Sequence, residues 1–133
     1  MSDTNVYFVH QQDRLPDALR LAGIGRFAGQ SVPIKLHMGE PCNPYAIRPP
    51  LARTVATAII DAGGLPFLFD TTVAYPGERS RRQGYEQVAR RHGFICENVG
   101  CDVVIGDKGV RTVEVGVAVE VAAQLHAATC MLV

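Results

Sequence analysis

The sequence lacks an excess of charge of either sign, because thirteen Lys and Arg residues balance thirteen Asp and Glu residues. Such a chain has no overall field that would attract a polyanion, so nucleic-acid binding is not expected as its main role. It also lacks an apolar run near the roughly 20 residues that a membrane span needs. Residues 1–5 lack the basic and apolar regions of a secretory signal. We therefore expect a cytoplasmic protein without membrane contact.

Cysteine motifs and glycine fingerprints are missing as well. The four cysteines show no C-x-x-C pair and no spacing typical of a zinc site or an iron–sulfur cluster: Cys42, Cys96, Cys101 and Cys130. We expect reduced thiols that act as small packing residues, and no iron–sulfur cluster in this chain. Neither a G-x-G-x-x-G fingerprint nor a Walker-type loop is found, so a Rossmann dinucleotide site is not supported.

What the sequence does contain is an alternation of apolar runs with segments of helical spacing. This alternation indicates βαβ units. The sequence predicts one α/β domain over residues 1–133, namely a three-layer α/β/α sandwich with a mainly parallel sheet, Rossmann-like but without the dinucleotide fingerprint. The expected strands cover 5–9, 32–37, 65–69, 102–107 and an apolar run at 129–133; the expected helices cover 15–22, 49–62 and 80–93, and a valine-rich strand turns helical within 118–127.

Three of these apolar runs end in residues capable of binding a ligand. His37, Asp70 and Asp107 each follow a predicted strand. Ligands of open α/β sheets bind beyond the carboxyl ends of the strands, so these side chains are expected to converge if the strands are parallel neighbours. Lys35 lies two residues before His37 and shares its face on a strand. Lys35 and His37 are therefore the candidate catalytic residues.

The residue types at these strand ends suit two kinds of ligand. The candidate metal ligands are His37, Glu40, Asp70 and Asp107, whose imidazole and carboxylate groups suit a divalent cation. Lys35 and Arg48 form a candidate anion pair, since Arg48 precedes a predicted helix N-terminus. Each residue also has a structural interpretation, as a solvated loop charge, a hydrogen-bonded histidine or a turn-capping aspartate. Their joint placement favours a site.

A second polar loop follows Asp70. The Tyr75-Pro76-Gly77 segment, with Arg79 beside it, reads either as a plain turn or as a lid over the crevice. Both interpretations stay open at this point. Basic residues at 81, 82, 90 and 91 are interspersed with glutamates and have no accompanying aromatic stripe, so a solvated helix face is expected there.

At these residues the sequence resembles the domain-of-unknown-function 362 proteins of bacteria and archaea, some of which carry a ferredoxin-like module. The similarity runs from about residue 32 onward and includes 34–40, 43, 45–49, 63–64, 66–68, 70–71, 75–77, 79, 91–94 and 103–107. The resemblance implies no particular reaction. It implies that the following residues match the family's polar motif positions: Lys35, His37, Glu40, Asn43, Arg48, Asp70, Tyr75, Arg79 and Asp107. The candidate ligand-binding residues are Glu40, Asn43, Tyr45, Arg48, Thr71, Tyr75 and Arg79.

The chain departs from the resembled family in several places. Cys42 stands where glycine is expected, and Lys108 follows Asp107 where glycine is more common. The ferredoxin cysteines and a second half with its own His, Lys and Gly motif are not found in the 133 residues. We therefore expect the amino-terminal part of a longer family domain, or a site that a partner chain completes.

Three functional hypotheses result, and whether the protein is an enzyme stays open. The first is an enzyme domain that acts on a small anionic metabolite with the help of a divalent metal. The second is a non-catalytic binding or assembly domain, such as a redox-partner subunit, that forms a homo-oligomer through an exposed strand at 130–133. The third is a remnant that folds without function.

Overall fold

The computed structural model describes residues 5–40, 42–114 and 116–133, and of Glu114 only the backbone. The expectations for residues 1–4, Pro41 and Val115 lie outside this part of the chain. The helices are α1 (Leu15–Leu21), α2 (Pro49–Asp61), α3 (Arg82–Arg91), α4 (Cys96–Val99) and α5 (Ala123–His126), with 3₁₀ turns at Gln12–Arg14, Ile24–Phe27 and Glu78–Ser80. The strands are β1 (Ser31–Lys35), β2 (Leu65–Thr71), β3 (Asp102–Gly106), β4 (Gly109–Glu114) and β5 (Val117–Ala122).

The main sheet is parallel and has the strand order β1-β2-β3. Ile34 pairs with Leu68, which in turn pairs with Val103, so the three strands end at the same edge of the sheet. The prediction that these three runs are parallel neighbours is confirmed. The other two strands, β4 and β5, form a separate antiparallel hairpin.

The chain returns to the free side of β1 near residue 132. Leu132 forms a parallel bridge with Ile34, in which Leu132 N–H donates to Pro33 O at 3.0 Å and Lys35 N–H donates to Leu132 O at 2.8 Å. The carbonyl of Pro33 faces this outer side, and the missing amide hydrogen of Pro33 faces the same side. Proline is therefore tolerated in β1, as expected for a residue near a sheet edge.

One face of the sheet carries both long crossover helices. Helix α2 packs against β2 and α3 packs against β3. The side chains that point toward these helices alternate along the strands and form the core with the helices: Val32, Ile34, Leu36, Leu68 and Ile105 from the strands, Ala52, Ala56 and Ile59 from α2, and Tyr85, Val88 and Ala89 from α3. This burial of two amphipathic helices on one sheet face accounts for the order of the elements.

The opposite face is approached by α5. A Cβ atom added at Gly106 would lie 2.9 Å from Oε1 of Gln124 and 3.1 Å from the ring of Phe69, so both side chains reach this face. The α/β class is confirmed. The three-layer sandwich is not confirmed, because both long crossover helices share one face, and α5, which approaches the other face, has only four residues.

Two sequence expectations at the ends of the chain need correction. Residues 5–9 form no strand, and Val6 and Phe8 are exposed instead of pairing with a neighbouring strand. The valine-rich segment stays extended to Ala122, and only Ala123–His126 is helical. The reason is the hairpin, in which Gly116 adopts a φ of 77° in the turn and β-branched residues pair across the strands.

The spacing of Ser80 and Gln83 predicts a capping box that starts the third helix at Ser80, and this prediction is wrong. Ser80 belongs to a 3₁₀ turn, and its hydroxyl donates to Gly77 O at 2.8 Å rather than capping a helix. Helix α3 begins at Arg82. The helix ends as predicted just before Gly93, which has a φ of 84°.

Two further observations concern the burial of the cysteines and the length and polarity of the helices. All four cysteines are free thiols, but only Cys101 is buried, while Cys42 and Cys96 are exposed. Burial raises the pKa of the Cys101 thiol to about 11. The packing role therefore holds for Cys101 and fails for the two exposed cysteines. Among the described residues, every helix is too short or too polar to cross a bilayer.

The different burial of two adjacent residues of α2 predicts that their replacement affects stability to different extents. Ile59 is fully buried, whereas Ile60 is 47% exposed. Replacing Ile59 by alanine should lower the free energy of unfolding by about 2–5 kcal/mol through a core cavity. The matched Ile60→Ala variant should change it by less than about 1 kcal/mol. Urea denaturation measures both, and equal losses would contradict this description of the core.

Candidate functional site

Two loops meet at the carboxyl edge of the parallel sheet. The segment after β1 continues along β2, since Leu36 N–H donates to Phe69 O at 3.1 Å. The loop after β2 folds back on itself, since Val73 N–H donates to Arg79 O at 3.1 Å. These contacts bring residues 36–40 and 72–81 together beside the start of α3. The predicted convergence at the strand ends therefore holds for the first two strands.

The centre of this region is Arg79, a guanidinium that is only 4% exposed. Its Nη2 donates to Glu40 Oε1 and to the hydroxyl of Tyr75, and that hydroxyl donates to Glu40 Oε1 at 2.9 Å. The hydrogen bond to Glu40 raises the pKa of Tyr75. The guanidinium also lies over the rings of Tyr75 and Tyr85, with its carbon 5.7 Å and 5.4 Å from the ring centres.

A second charged pair lies next to the first. Asp70 is buried, and its Oδ1 accepts from Lys35 Nζ at 2.8 Å and from Thr71 N–H at 2.9 Å. Its Oδ2 accepts the hydroxyl proton of Tyr85. Burial of the phenol, followed by this hydrogen bond to Asp70, raises the pKa of Tyr85 to about 12. Asp70 therefore holds the lysine and the tyrosine in fixed positions.

Helix α3 also holds the backbone that follows β1. The hydroxyl of Tyr85 accepts from Met38 N–H at 3.3 Å, and His92 Nδ1 lies 2.9 Å from Met38 O. Gly39 follows with a φ of 87°, and a Cβ atom there would lie 2.5 Å from His92 Nδ1. Only glycine fits this close approach in a left-handed conformation.

The imidazole of His37 faces hydrogen-bond donors at both nitrogens. Gly39 N–H lies 3.1 Å from Nδ1, and Nη1 of Arg79 contacts Nε2. A neutral imidazole has one acceptor nitrogen, and arginine is only a donor. The charged Arg79 group therefore takes the acceptor at Nε2. His37 is thus a third partner of the buried guanidinium, beside Glu40 and Tyr75.

The other predicted ligand-binding residues are engaged within their own loop. Asn43 Oδ1 accepts from Tyr45 N–H at 2.9 Å, and Arg48 donates to Pro44 O at 2.8 Å. The side chain of Tyr45 is 93% exposed. The structure thus brings Glu40, Thr71, Tyr75 and Arg79 to the site, and it gives Asn43, Tyr45 and Arg48 local contacts instead.

The expected contribution of a helix N-terminus at Arg48 also needs correction. Helix α2 begins with Pro49 and Pro50, which have no amide hydrogens. The next amide, that of Leu51, donates to Arg48 O at 3.0 Å. The first turn therefore offers an anion no free donor from these three residues, and the Arg48 side chain donates to Pro44 O within its own loop.

The four predicted metal ligands are not brought together. Asp107 lies 4.0 Å from Arg82 Nη1, while Asp70 binds Lys35 and Tyr85. Within residues 5–40, 42–114 and 116–133, no three His, Cys, Asp or Glu side chains form a group that could hold a metal ion. The liganding atoms of His37 and Glu40 both contact the Arg79 guanidinium. This donor set does not fit a divalent cation, because a buried positive charge occupies its neighbourhood.

Two residues of the site were assigned only to a helix face by sequence reasoning. Tyr85 and His92 belong to the helical spacing of the third helix, and both also reach the backbone of Met38. They are seven residues apart, which places them on the same side of a helix, two turns from one another. The signal that could have identified them is a pair of aromatic side chains with polar atoms, both on the apolar face of the predicted helix.

Comparison with known proteins places the site within a recognised family region. The sequence profile of a family described as a domain of unknown function (DUF362) matches residues 32–133. No curated protein and no solved structure gives a significant match. The matched range contains every residue of the site and excludes α1.

The Tyr85 hydroxyl predicts a measurable stability contribution. Tyr85→Phe removes the donor to Asp70 and the acceptor for Met38 N–H while retaining the buried ring. We expect the free energy of unfolding to fall by about 1–3 kcal/mol at neutral pH, the cost of unsatisfied buried groups. Urea denaturation measures it. The matched control is Tyr45→Phe on an exposed ring, which should be neutral.

The raised pKa of Tyr85 predicts that the effect of Tyr85→Phe on stability changes at alkaline pH. The unfolded phenol loses its proton near pH 10, whereas the folded phenol keeps it to about pH 12. The stabilisation from this difference is complete below pH 10 and is lost as the pH rises to 12, with a limit of about 3 kcal/mol. The stability difference between wild type and Tyr85→Phe should therefore shrink from pH 10 to 12 in urea titrations. A constant difference over this range would contradict the assignment.

Proposed function

The chain belongs to the DUF362 family, and from the site that it builds we propose that it binds a small anionic ligand at the carboxyl ends of β1 and β2. The ligand class is a carboxylate or a phosphate, whose oxygens accept two or more hydrogen bonds. Lys35 and Arg79 supply the donors. His37, Glu40, Asp70 and Tyr85 hold those donors in place.

The observation that carries the proposal is the presence of two oriented cations at the strand ends. Arg79 is buried and held by Glu40, Tyr75 and His37, and the partly exposed Lys35 is held by Asp70. Anionic oxygens accept strong, charge-assisted hydrogen bonds from such groups.

Lys35 supplies a further donor for the same ligand. Its side chain is 35% exposed, and one of its three ammonium hydrogens is used on Asp70. The remaining hydrogens are available to a ligand in the crevice. Asp70 restricts the lysine to one position, which reduces the entropy that binding would otherwise cost. Lys35 is thus already oriented for a contact with the ligand.

The positive and negative charges of the site largely cancel. Arg79 is matched by Glu40, and Lys35 is matched by Asp70. The two pairs leave little net charge, so long-range attraction contributes little to binding. Directed hydrogen bonds supply the affinity instead, and the ligand must place its oxygens where the donors point. We propose geometric selection of a compact anion on this basis.

The chemistry available to a bound anion follows from the two cations. Lys35 and Arg79 stabilise negative charge on a ligand oxygen. The Nε2 lone pair of His37 accepts from Arg79, so His37 does not act as a base at that atom while this contact is in place. The site is therefore suited to holding an oxyanion, and a reaction on the ligand is a further hypothesis.

The second candidate is an assembly domain, either a homo-oligomer or a complex with a partner chain that completes the site. Leu132 pairs with β1, while Met131 and Val133 are exposed, the latter at 89%. Exposed apolar side chains beside a sheet edge favour strand addition. Light scattering tests this candidate, and a strictly monomeric protein at high concentration would reject homo-oligomer formation.

The proposed function predicts anion binding that depends on Lys35. Inorganic phosphate or acetate, titrated into ¹⁵N-labelled protein, should shift the Gly39 amide and the Arg79 Nε–H signals. Lys35→Gln should weaken phosphate binding about tenfold or more, because it removes a charged donor to the anion. Arg81→Gln, an exposed residue next to Ser80, is the matched control and should bind as the wild type does.

Two results would contradict this proposal. Phosphate and acetate that leave the Gly39 and Arg79 signals unmoved at tens of millimolar concentration would exclude the anion site. Near-stoichiometric divalent metal in tag-free protein, lost in His37→Ala, would reject the anion site and restore the metal hypothesis. Elemental analysis of both proteins distinguishes the two kinds of site.

A further inference from the structure

We infer that Glu40 holds the position on Arg79 that the carboxylate group of the ligand takes, and that binding exchanges one carboxylate for the other. The ligand is thereby narrowed to a small carboxylate, since the group that holds the position is itself a carboxylate. The inference deepens the proposed function and rests on it, because it concerns the way in which an anion reaches the buried arginine.

Glu40 lies on the solvent side of the Arg79 guanidinium. The side chain of Arg79 is 4% exposed, whereas the side chain of Glu40 is 49% exposed. The ring of Tyr85 covers the guanidinium, and Nε2 of His37 takes Nη1. Nη2 donates to Glu40 and to the hydroxyl of the exposed Tyr75. An anion from solvent therefore reaches Nη2 at the place where the Glu40 carboxylate lies.

The two members of this ion pair depend on one another unequally. Glu40 accepts from Arg79 and Tyr75 through Oε1, and the described residues provide no partner for its Oε2. A half-exposed carboxylate loses little when it moves into water. The buried guanidinium, in contrast, cannot be left unpaired without a large cost. Glu40 is therefore released when another anion takes its place on Arg79.

A cavity beside the guanidinium provides room for the incoming group. Its volume is about 250 Å³, and it is lined by Glu40, Tyr75, Gly77, Glu78 and Arg79. This volume is below the roughly 300 Å³ at which pockets for drug-sized ligands begin, so the ligand is smaller. The second carboxylate of the lining, Glu78, accepts from Arg91 at 2.6 Å. It therefore does not compete for Arg79 as Glu40 does.

The exchange makes Glu40 a determinant of specificity. One carboxylate replaces another on Arg79, so this step alone gains little. Lys35 supplies the net gain, because its outer hydrogens receive an acceptor only from the ligand. A carboxylate of the chain itself competes at an effective concentration on the order of millimolar or above. Glu40 thus disfavours every anion that contacts Arg79 without also reaching Lys35.

Two other roles of Glu40 make different predictions. A permanent brace would orient Arg79 for the ligand, so its loss would weaken binding. A general charge effect would strengthen anion binding whenever a nearby carboxylate is removed. Glu78 distinguishes this last case, because it lines the same cavity, precedes Arg79 in the chain and has a side chain that is also 49% exposed. The sign of the change, and its restriction to Glu40, separate the three roles.

The experiment compares Glu40→Gln with the matched control Glu78→Gln. Acetate is titrated into ¹⁵N-labelled protein at physiological ionic strength, and the Arg79 Nε–H signal reports binding. Glu40→Gln should bind acetate about tenfold more tightly than the wild type, because the neutral amide no longer competes as an anion. Glu78→Gln should change the affinity by less than about twofold, since its exposed charge is screened and paired elsewhere.

Thermal unfolding gives the second readout. Without acetate, Glu40→Gln should lower Tm, because the buried guanidinium loses its charged partner. Saturating acetate should raise the Tm of Glu40→Gln by more than it raises that of the wild type, because the variant binds acetate more tightly. A permanent brace would lower Tm without this larger recovery.

Weaker or unchanged acetate binding in folded Glu40→Gln, or equal tightening in both variants, would overturn the inference. Failure of the proposed function gives another result, in which acetate leaves the Arg79 signal unmoved in the wild type and in both variants. If the wild type binds acetate in a manner that depends on Lys35, and Glu40→Gln binds it no more tightly, the proposed function stands and the exchange is rejected.

Discussion

The burial of the Arg79 guanidinium is the constraint on which the rest of the site depends. A charge that is almost completely removed from water must be paired and hydrogen-bonded, or the fold loses several kcal/mol, on the order of 3–5 for a broken buried pair. The pairing comes from Glu40, on the segment after β1, and from Tyr75, on the loop after β2. Neither loop can therefore move independently, and the arginine holds them both against the sheet edge.

Tyr85 links this charged region to the hydrophobic core. Its ring is fully buried among core side chains and also lies beneath the Arg79 guanidinium. Its hydroxyl serves Asp70 and Met38 at once. The packing that stabilises α3 on the sheet thus also sets the positions of Lys35 and the backbone beside His37. Core packing supplies the precision that a ligand site on loops alone would lack.

Some of this arrangement could be predicted from the sequence, and some could not. The apolar runs predicted three parallel strands, and the polar residues that follow them predicted a shared site with His37 and Asp70 at two strand ends. The identity of the central cation could not be predicted, because arginine is usually exposed and its burial depends on how the loop after β2 folds back. Carboxylates and an imidazole near one another suggested a metal, whereas the fold places Arg79 among them.

The local errors have equally specific causes. Ser80 with Gln83 satisfies the spacing of a capping box, but the hydroxyl donates back to Gly77 O, three residues earlier, at a 3₁₀ turn. Arg48 stands before a helix as expected, yet the prolines that favour helix initiation also remove the donors that an anion would need. The same prolines thus favour the start of a helix and remove the amide donors that would bind an anion there. The hydrogen-bond partners of the neighbouring residues show which of the two effects prevails.

The near-cancellation of charge has a consequence for the kind of ligand that the site can select. A site with surplus positive charge attracts any anion and loses affinity as salt screens it. Here each cation already has a carboxylate partner, so a ligand gains mainly from the outer hydrogens of Lys35. Selection then depends on where these hydrogens point. Asp70 sets that direction, because its Oδ1 lies 2.8 Å from Lys35 Nζ and is itself fixed by the Thr71 amide, while its Oδ2 accepts from Tyr85.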